Sequence, residues 1–246
     1  MKKLFCILSM TAIAAQAIAA QSCSTLENIK GNKNIVSREI DISDYAEIYF
    51  SVPCEVTYLQ TPDKAPYLQI ATDENILPLL EIEVTGNRLS IKCSKQNTNL
   101  KPSRLTIHTS SSHLSKVEVA GWGKVHLKEK IKSGDMSISL AGWGEVASDD
   151  LSCEKIRLDI SGSGKVALKG IGSEVSCKIA GSGNIDLSAY PAQNVDCGIS
   201  GSGDVLVYAE NKLTAKIAGS GKIRYKGNPP VTNIQVAGSG TVKSIK

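Results

Sequence analysis

The side chains best suited to acid–base chemistry are spread along this sequence instead of clustered. Its candidate acids are Asp149, Asp150, Asp159 and Asp186, and its histidines are His108, His113 and His126. An enzyme that cleaves acidic polysaccharides needs carboxylates or basic groups that converge on one face. Asp149 and Asp150 are consecutive and would point apart in a strand. Asp159 and Asp186 occupy different positions of the repeat described below. We therefore expect solvated charges and a noncatalytic protein.

The serine, glycine and cysteine patterns indicate no specific chemistry either. Gly-Ser-Gly occurs five times, each time between strands, whereas a nucleophile elbow places a single serine at a strand-to-helix turn. Calcium-binding glycine repeats need a period of about nine residues with recurring aspartates. Six cysteines remain once the leader described below is removed, and none forms the C-x-x-C pair of a zinc site. The sequence thus predicts no metal site and no cofactor.

Two tryptophans are the most informative candidates for binding. Trp122 and Trp143 take the middle position of a Gly-x-Gly unit, and serines take it in the five later units: Ser163, Ser182, Ser202, Ser220 and Ser239. If this column faces outward, the rings form an apolar platform beside a serine strip that begins with Ser163 and Ser182. Such a surface suits a sugar ring or a partner loop. Alternatively, both rings cover the repeat region near its junction with the N-terminal part.

These units belong to an internal repeat of about twenty residues. Its leading glycines are Gly121, Gly142, Gly162, Gly181, Gly201, Gly219 and Gly238, separated by 21, 20, 19, 20, 18 and 19 residues. A propeller blade needs about forty residues, and a leucine-rich repeat needs its Leu and Asn framework. At about 3.3 Å per strand residue, twenty residues make one coil with a contour of roughly 65 Å. We therefore predict an all-β fold, with a parallel β-solenoid of about seven coils over residues 116–246.

Stacked copies of the repeat form consistent columns. The closing position holds only Val or Ile, which predicts an inward ladder: Val125, Val146, Val166, Ile185, Val205, Ile223 and Val242. The preceding column should face solvent, and no two neighbours in it carry the same sign: Lys124, Glu145, Lys165, Asn184, Asp204, Lys222 and Thr241. Cys177 and Cys197 fall on neighbouring coils in an inward column. They form either two buried thiols or a disulfide.

The beginning of the chain predicts export. Lys2 and Lys3 precede an apolar run that ends in small residues, the pattern of a secretory signal peptide over residues 1–20. The run is short for a membrane span and no later segment is long enough, so we expect no transmembrane span in the mature chain. A lipid anchor on Cys23 is the alternative to a free secreted form. Loss of two lysines from a formal charge of +4 leaves +2, without a basic block, so nucleic acid is not an expected partner.

The region before the repeat divides into a polar and a β-rich segment. Residues 21–35 predict a flexible tail, and residues 36–115 predict strands from alternating runs such as EVTYL, YLQIA, RLSIKC and RLTIHT. Residues 73–80 begin with an acidic turn and carry apolar residues at helical spacing, which predicts one short helix or turn.

Several motifs together resemble the putative auto-transporter adhesins with a head GIN domain, a family widespread in Bacteroidetes. They are the entry strand and turn at residues 40–51, DENIL at 73–77, NRLSIK at 87–92, and the repeated ISGSG and IAGSG coils. The likeness covers roughly residues 36–246. It implies a right-handed parallel β-helix and an envelope or extracellular location. Trp122 and Trp143 depart from the usual Gly-Ser-Gly.

The leading functional hypothesis is an adhesin-like, noncatalytic binding protein that presents its β-helix to glycans or surface proteins. Its location would be the periplasm, the outer membrane surface or the outside of a Gram-negative-type cell. The alternative is a structural protein whose exposed solenoid ends pair into homo-oligomers. A polysaccharide-processing β-helix enzyme comes third.

Overall fold

The computed structural model describes residues 26–245 as an almost wholly β protein, with 74% strand and 1% helix. The predicted signal segment 1–20 and Cys23 lie outside the described residues. The N-terminal part contains nine strands: β1 (Glu27–Lys30), β2 (Ile35–Glu39), β3 (Glu47–Phe50), β4 (Cys54–Gln60), β5 (Tyr67–Asp73), β6 (Leu80–Thr85), β7 (Arg88–Cys93), β8 (Thr98–Lys101) and β9 (Leu105–Ser111). The short helix predicted at residues 73–80 is confirmed as a 3-10 helix at Leu77–Leu79.

The repeat region contains nine further strands, several of which bend around coil corners. They are β10 (Lys116–Gly121), β11 (Gly123–Gly142), β12 (Glu145–Gly162), β13 (Lys165–Gly181), β14 (Asn184–Gly201), β15 (Asp204–Gly219), β16 (Lys222–Lys226), β17 (Val231–Gly238) and β18 (Thr241–Ser244). Every pairing among them is parallel. The predicted parallel solenoid is confirmed. It has about six turns, because seven Gly-x-Gly units delimit six intervals.

Two long sides of the solenoid position the surface described below. The first side is the segment that ends at each leading glycine, as in residues 116–121, and it continues through β3 and β7 to β6. The second side follows each Gly-x-Gly unit, as in residues 123–127, and continues through β4, β9 and β5 to β2. The Val/Ile ladder points inward from the second side. The charged residues that precede it occupy matching positions on neighbouring strands, as Lys124 and Glu145 do.

The two glycines of each Gly-x-Gly unit are required for different structural reasons. The leading glycine turns the corner with a positive φ in every copy, 129° at Gly201, for example. A Cβ there would collide with the carbonyl oxygen of Gly181 on the coil below. The second glycine has no positive φ but lies against the core: a Cβ on Gly203 would meet the Gly183 oxygen at 2.8 Å and Ile179 at 2.9 Å. From the second copy onward both positions therefore leave no room for a side chain, whereas at Gly121 only the positive φ favours glycine.

Part of the segment predicted as a flexible tail forms strands and hydrogen bonds in the structure. β1 pairs in parallel with β8, and β2 begins at Ile35. Asp73 holds the intervening loop: its carboxylate accepts hydrogen bonds from the Lys33 and Ser103 amides, both at 2.7 Å. Asn75 adds two more, from its side-chain amide to the Lys30 carbonyl and from the Asn32 amide to its oxygen. The DENIL segment thus fastens residues 27–35, called the arm below, to the N-terminal part.

Candidate binding surface

The two tryptophans lie side by side on a corner of the solenoid. Gly121 and Gly142 are paired in register, and the Trp143 amide donates to the Gly121 carbonyl at 2.9 Å. The positive φ of both glycines turns the next side chain away from the core. Trp122 is 50% exposed and Trp143 is 72% exposed. Two exposed rings on neighbouring coils form a contiguous apolar patch, and such patches mark binding sites more often than isolated apolar side chains do.

The surroundings of the two rings differ. Trp122 lines a recess of about 210 Å³ with Pro53, Arg104 and Thr106, at the junction with the N-terminal part. Trp143 stands one coil further along and is not among the residues lining this recess. The alternative that the rings cover the repeat region near its junction with the N-terminal part therefore fits Trp122 better than Trp143. A binding role for the pair stays a prediction.

The serine column continues the corner on the later coils. Ser163 is half-buried, and Ser182, Ser202, Ser220 and Ser239 are exposed. The amides of Ser163 and Ser182 donate to leading-glycine carbonyls of the preceding coil, both at 2.9 Å. The Ser220 and Ser239 hydroxyls lie 3.0 Å apart. The corner is thus apolar at its first two coils and lined with hydroxyl groups afterwards.

A groove of about 820 Å³ runs along the first side, next to this corner. Its floor is the column that directly precedes the leading glycines and contains only small residues: Ala120, Ala141, Ser161, Ala180, Ser200, Ala218 and Ala237. Its rim is the column two residues earlier: Glu118, Ser139, Asp159, Lys178, Gly198, Lys216 and Gln235. The sequence shows that this column holds only Ala or Ser, but its outward direction in the structure is what reveals a groove.

A second groove of about 650 Å³ lies beside it on the first side and is lined by charged side chains. At its N-terminal end, Arg88 contacts Glu47 of this groove at 3.1 Å and Glu118 on the rim of the first groove at 2.6 Å. Lys116 also contacts Glu118, at 3.1 Å. The acidic charge at this end of the rim is therefore compensated within the chain.

Among the acids and histidines singled out from the sequence, the structure brings one pair together. His126 Nε2 lies 2.9 Å from Asp149 Oδ1, and the other Asp149 oxygen accepts from the Glu129 amide at 3.3 Å. The hydrogen bond from His126 holds the pKa of Asp149 below its ordinary value. Glu129 has a positive φ of 60°, so the carboxylate steadies a turn. The pair therefore links two neighbouring coils at this turn.

The remaining acids and histidines stay apart. Asp159 pairs with Arg157 at 2.6 Å, and Asp186 accepts from the Ser188 amide at 2.9 Å. Asp150 lies beside Lys130 in the strand ladder, and His108 and His113 are exposed. Within residues 26–245 no cluster of three side chains could ligate a metal.

Cys177 and Cys197 face each other in register inside the first side, and both are buried. Both are free thiols in the structure. The hydrogen bond with Cys197 and burial raise the pKa of the Cys177 thiol. A disulfide between them stays a prediction. No helix in the described part of the chain is long and apolar enough to cross a membrane.

Fold and surface together define a β-solenoid protein with an open, elongated outer surface. The chain belongs to the family described as putative auto-transporter adhesin, head GIN domain, whose model matches residues 44–229. No curated protein is significantly similar in sequence.

Two crystal structures from Bacteroidetes are similar along nearly the whole chain. A putative adhesin from Bacteroides fragilis is 27% identical with a TM-score of 0.83, over 88% of this chain and 100% of that one. A putative lipid binding protein from Parabacteroides distasonis is 33% identical with a TM-score of 0.77, over 89% of this chain and 100% of that one. The predicted family is confirmed.

Proposed function

We propose that this chain is an exported, noncatalytic binding protein of the cell envelope that holds a glycan or surface-protein partner along its first side and the adjoining corner. The observation that carries the proposal is the exposure of Trp122 and Trp143 on consecutive coils beside an open groove. Adhesin names in the family and among similar structures support a binding role. The signal-peptide pattern of residues 1–20 supports export.

The test of the platform is the double variant Trp122→Ala, Trp143→Ala, compared with wild type on glycan arrays and on immobilised host surfaces. A matched control is Ile171→Ala, which removes another exposed apolar side chain, 58% exposed, away from this corner. We expect the tryptophan variant to lose most binding and the control to keep it. Unchanged binding of the tryptophan variant to every sugar and surface tested would refute the platform.

Export and surface display are tested on intact source cells by protease shaving and antibody labelling, with a periplasmic protein as control. Cleavage and labelling of the mature chain are expected. Protection equal to that of the periplasmic control would contradict adhesion and direct attention to partners inside the envelope. Mass spectrometry of the mature N-terminus distinguishes a lipid-modified Cys23 from a free secreted form.

Assembly through solenoid ends is the second candidate, and one observation favours it. All eight residues of β17 are exposed, including Val231, Ile234 and Val236 at 51%, 45% and 43%. An uncharged, apolar edge strand is a site where another strand can pair. Light scattering over a range of protein concentrations tests this, with Ile234→Lys as the variant expected to abolish self-association. A wild-type monomer at all concentrations would rule the assembly out.

A further inference from the structure

One position of the groove rim lacks a side chain. Gly198 lies in register between Lys178 on the preceding coil and Lys216 on the following coil. Because neighbouring strands are about 4.8 Å apart, the two lysine Cα atoms are separated by about 9.6 Å, with a dent between them. Ala180, Ser200 and Ala218 form the groove floor beside this dent. The geometry is that of a small open cradle with a cation on each side.

The backbone does not require a glycine here. Gly198 does not have the positive φ of the leading glycines. A Cβ built on it would meet no atom closer than the Cys177 carbonyl oxygen, at 4.0 Å, whereas both glycines of each later motif would collide with the core or the neighbouring coil. Glycine inside a strand reduces stability and often marks a place where a ligand approaches the backbone closely.

Two lysines without ion-pair partners flank the dent on the rim. Lys178 and Lys216 are exposed, and neither forms an ion pair with any described residue. Of the rim acids, Glu118 lies three coils from Lys178 and pairs with Arg88 and Lys116. Asp159 lies in register directly beside Lys178 and pairs with Arg157. The opposing charges near the dent are Asp159, beside Lys178, and Asp196, two residues before Gly198 on the same side. The two unpaired lysines therefore attract an anion, although Asp159 and Asp196 weaken the attraction.

We propose that the dent at Gly198 binds the anionic group, carboxylate or sulfate, of an acidic glycan lying along the first-side groove, with Lys178 and Lys216 as its charge partners. This inference rests on the proposed binding function and specifies its ligand class. A floor of alanine and serine leaves room for a chain of sugar rings, and its hydroxyls match sugar hydroxyls. The exposed tryptophans at the N-terminal coils supply stacking for rings further along the same chain.

The probes are two pairs of polymers that differ in charge. Polygalacturonate and its fully methyl-esterified form test the carboxylate, and dextran sulfate and dextran test the sulfate. Binding of the wild-type chain is measured by calorimetry or biolayer interferometry at two salt concentrations. We expect at least one anionic polymer to bind about tenfold more tightly than its neutral counterpart, and the difference to shrink with salt.

Three variants and a charge-matched control identify the site. Lys178→Gln with Lys216→Gln is expected to weaken binding about tenfold, whereas Lys165→Gln with Lys222→Gln, on the second side, changes it about twofold or less. Gly198→Thr fills the dent with a side chain that strands accept, so binding should fall about tenfold while the melting temperature holds. Asp196→Asn removes one of the two opposing charges and is expected to tighten binding about threefold.

The outcomes separate this inference from the proposed function. Equal loss of binding in the two double lysine variants, or unchanged binding by Gly198→Thr, would mean nonspecific attraction and would overturn the site. Failure of wild type to prefer either anionic polymer would also overturn it, while tryptophan-dependent binding to cells or neutral sugars would leave the proposed function standing. Conversely, a Gly198 effect without any tryptophan effect would retain the cradle and reject the platform.

Discussion

The N-terminal part and the repeat region build the same continuous sheets by different means. In the repeat region each coil is a copy of the last, and the corner depends on glycine backbone geometry, as at Gly201. The N-terminal part mixes parallel and antiparallel pairs and depends on individual polar contacts, such as Tyr45 with Thr109 at 2.6 Å and Tyr58 with Ser111 at 2.9 Å. Order in the first region comes from repetition, and order in the second from specific side chains.

The largest effect should come from a corner glycine. Gly201→Ala places a Cβ against the Gly181 carbonyl at a φ that L residues rarely adopt, so we expect a loss of about 3 kcal/mol in unfolding free energy. Gly198→Ala, three residues earlier on the same coil, is the control. It has no close neighbour and should stabilise by about 0.5 kcal/mol. Urea denaturation measures both. Equal effects of the two substitutions would show that corner geometry is not what the repeat requires.

The corresponding test in the N-terminal part is Asp73→Asn. The carboxylate accepts hydrogen bonds from Lys33 and Ser103, and in the variant an amide nitrogen would face one of these donors. We therefore expect the unfolding free energy to fall by about 2 kcal/mol. Hydrogen exchange should show lost protection in the arm, residues 27–35, with the repeat region unchanged. Asp63→Asn, at an exposed position, is the control. Loss of protection throughout the chain would mean that the two regions unfold as one unit.

Lowering the pH should reproduce the loss of stability in the arm. Burial raises the pKa of Asp73, but hydrogen bonds from Ser103 and Lys33 outweigh it and hold the pKa below its ordinary value. A carboxyl whose folded pKa is depressed contributes stability above its unfolded pKa of about 3.9, and the contribution is lost as pH falls through the folded pKa. The difference in melting temperature between wild type and Asp73→Asn should therefore narrow below about pH 4. A difference independent of pH would contradict this.

The contrast between the regions also explains what the sequence could predict. The coil period, the Val/Ile ladder and the charged column of Lys124 were readable because neighbours in a repeat occupy equivalent positions. The arm was not, because Lys33 and its partner Asp73 are 40 residues apart and nothing local indicates their contact. The dent at Gly198 was also missed, since glycine is frequent throughout the repeat. Only the structure separates a required glycine from one with free space around it.

The smallest effect on stability should distinguish the two tryptophans, which stand where the regions meet. Trp122 lines the recess with Pro53 and Arg104, so Trp122→Ser should cost about 1 kcal/mol through lost apolar contact. Trp143 is 72% exposed, and Trp143→Ser should change stability by no more than about 0.5 kcal/mol. Urea denaturation of the single variants measures this. A tryptophan that contributes little to stability yet is needed for binding would serve to contact a partner. Equal costs at both positions would instead make the corner part of the junction.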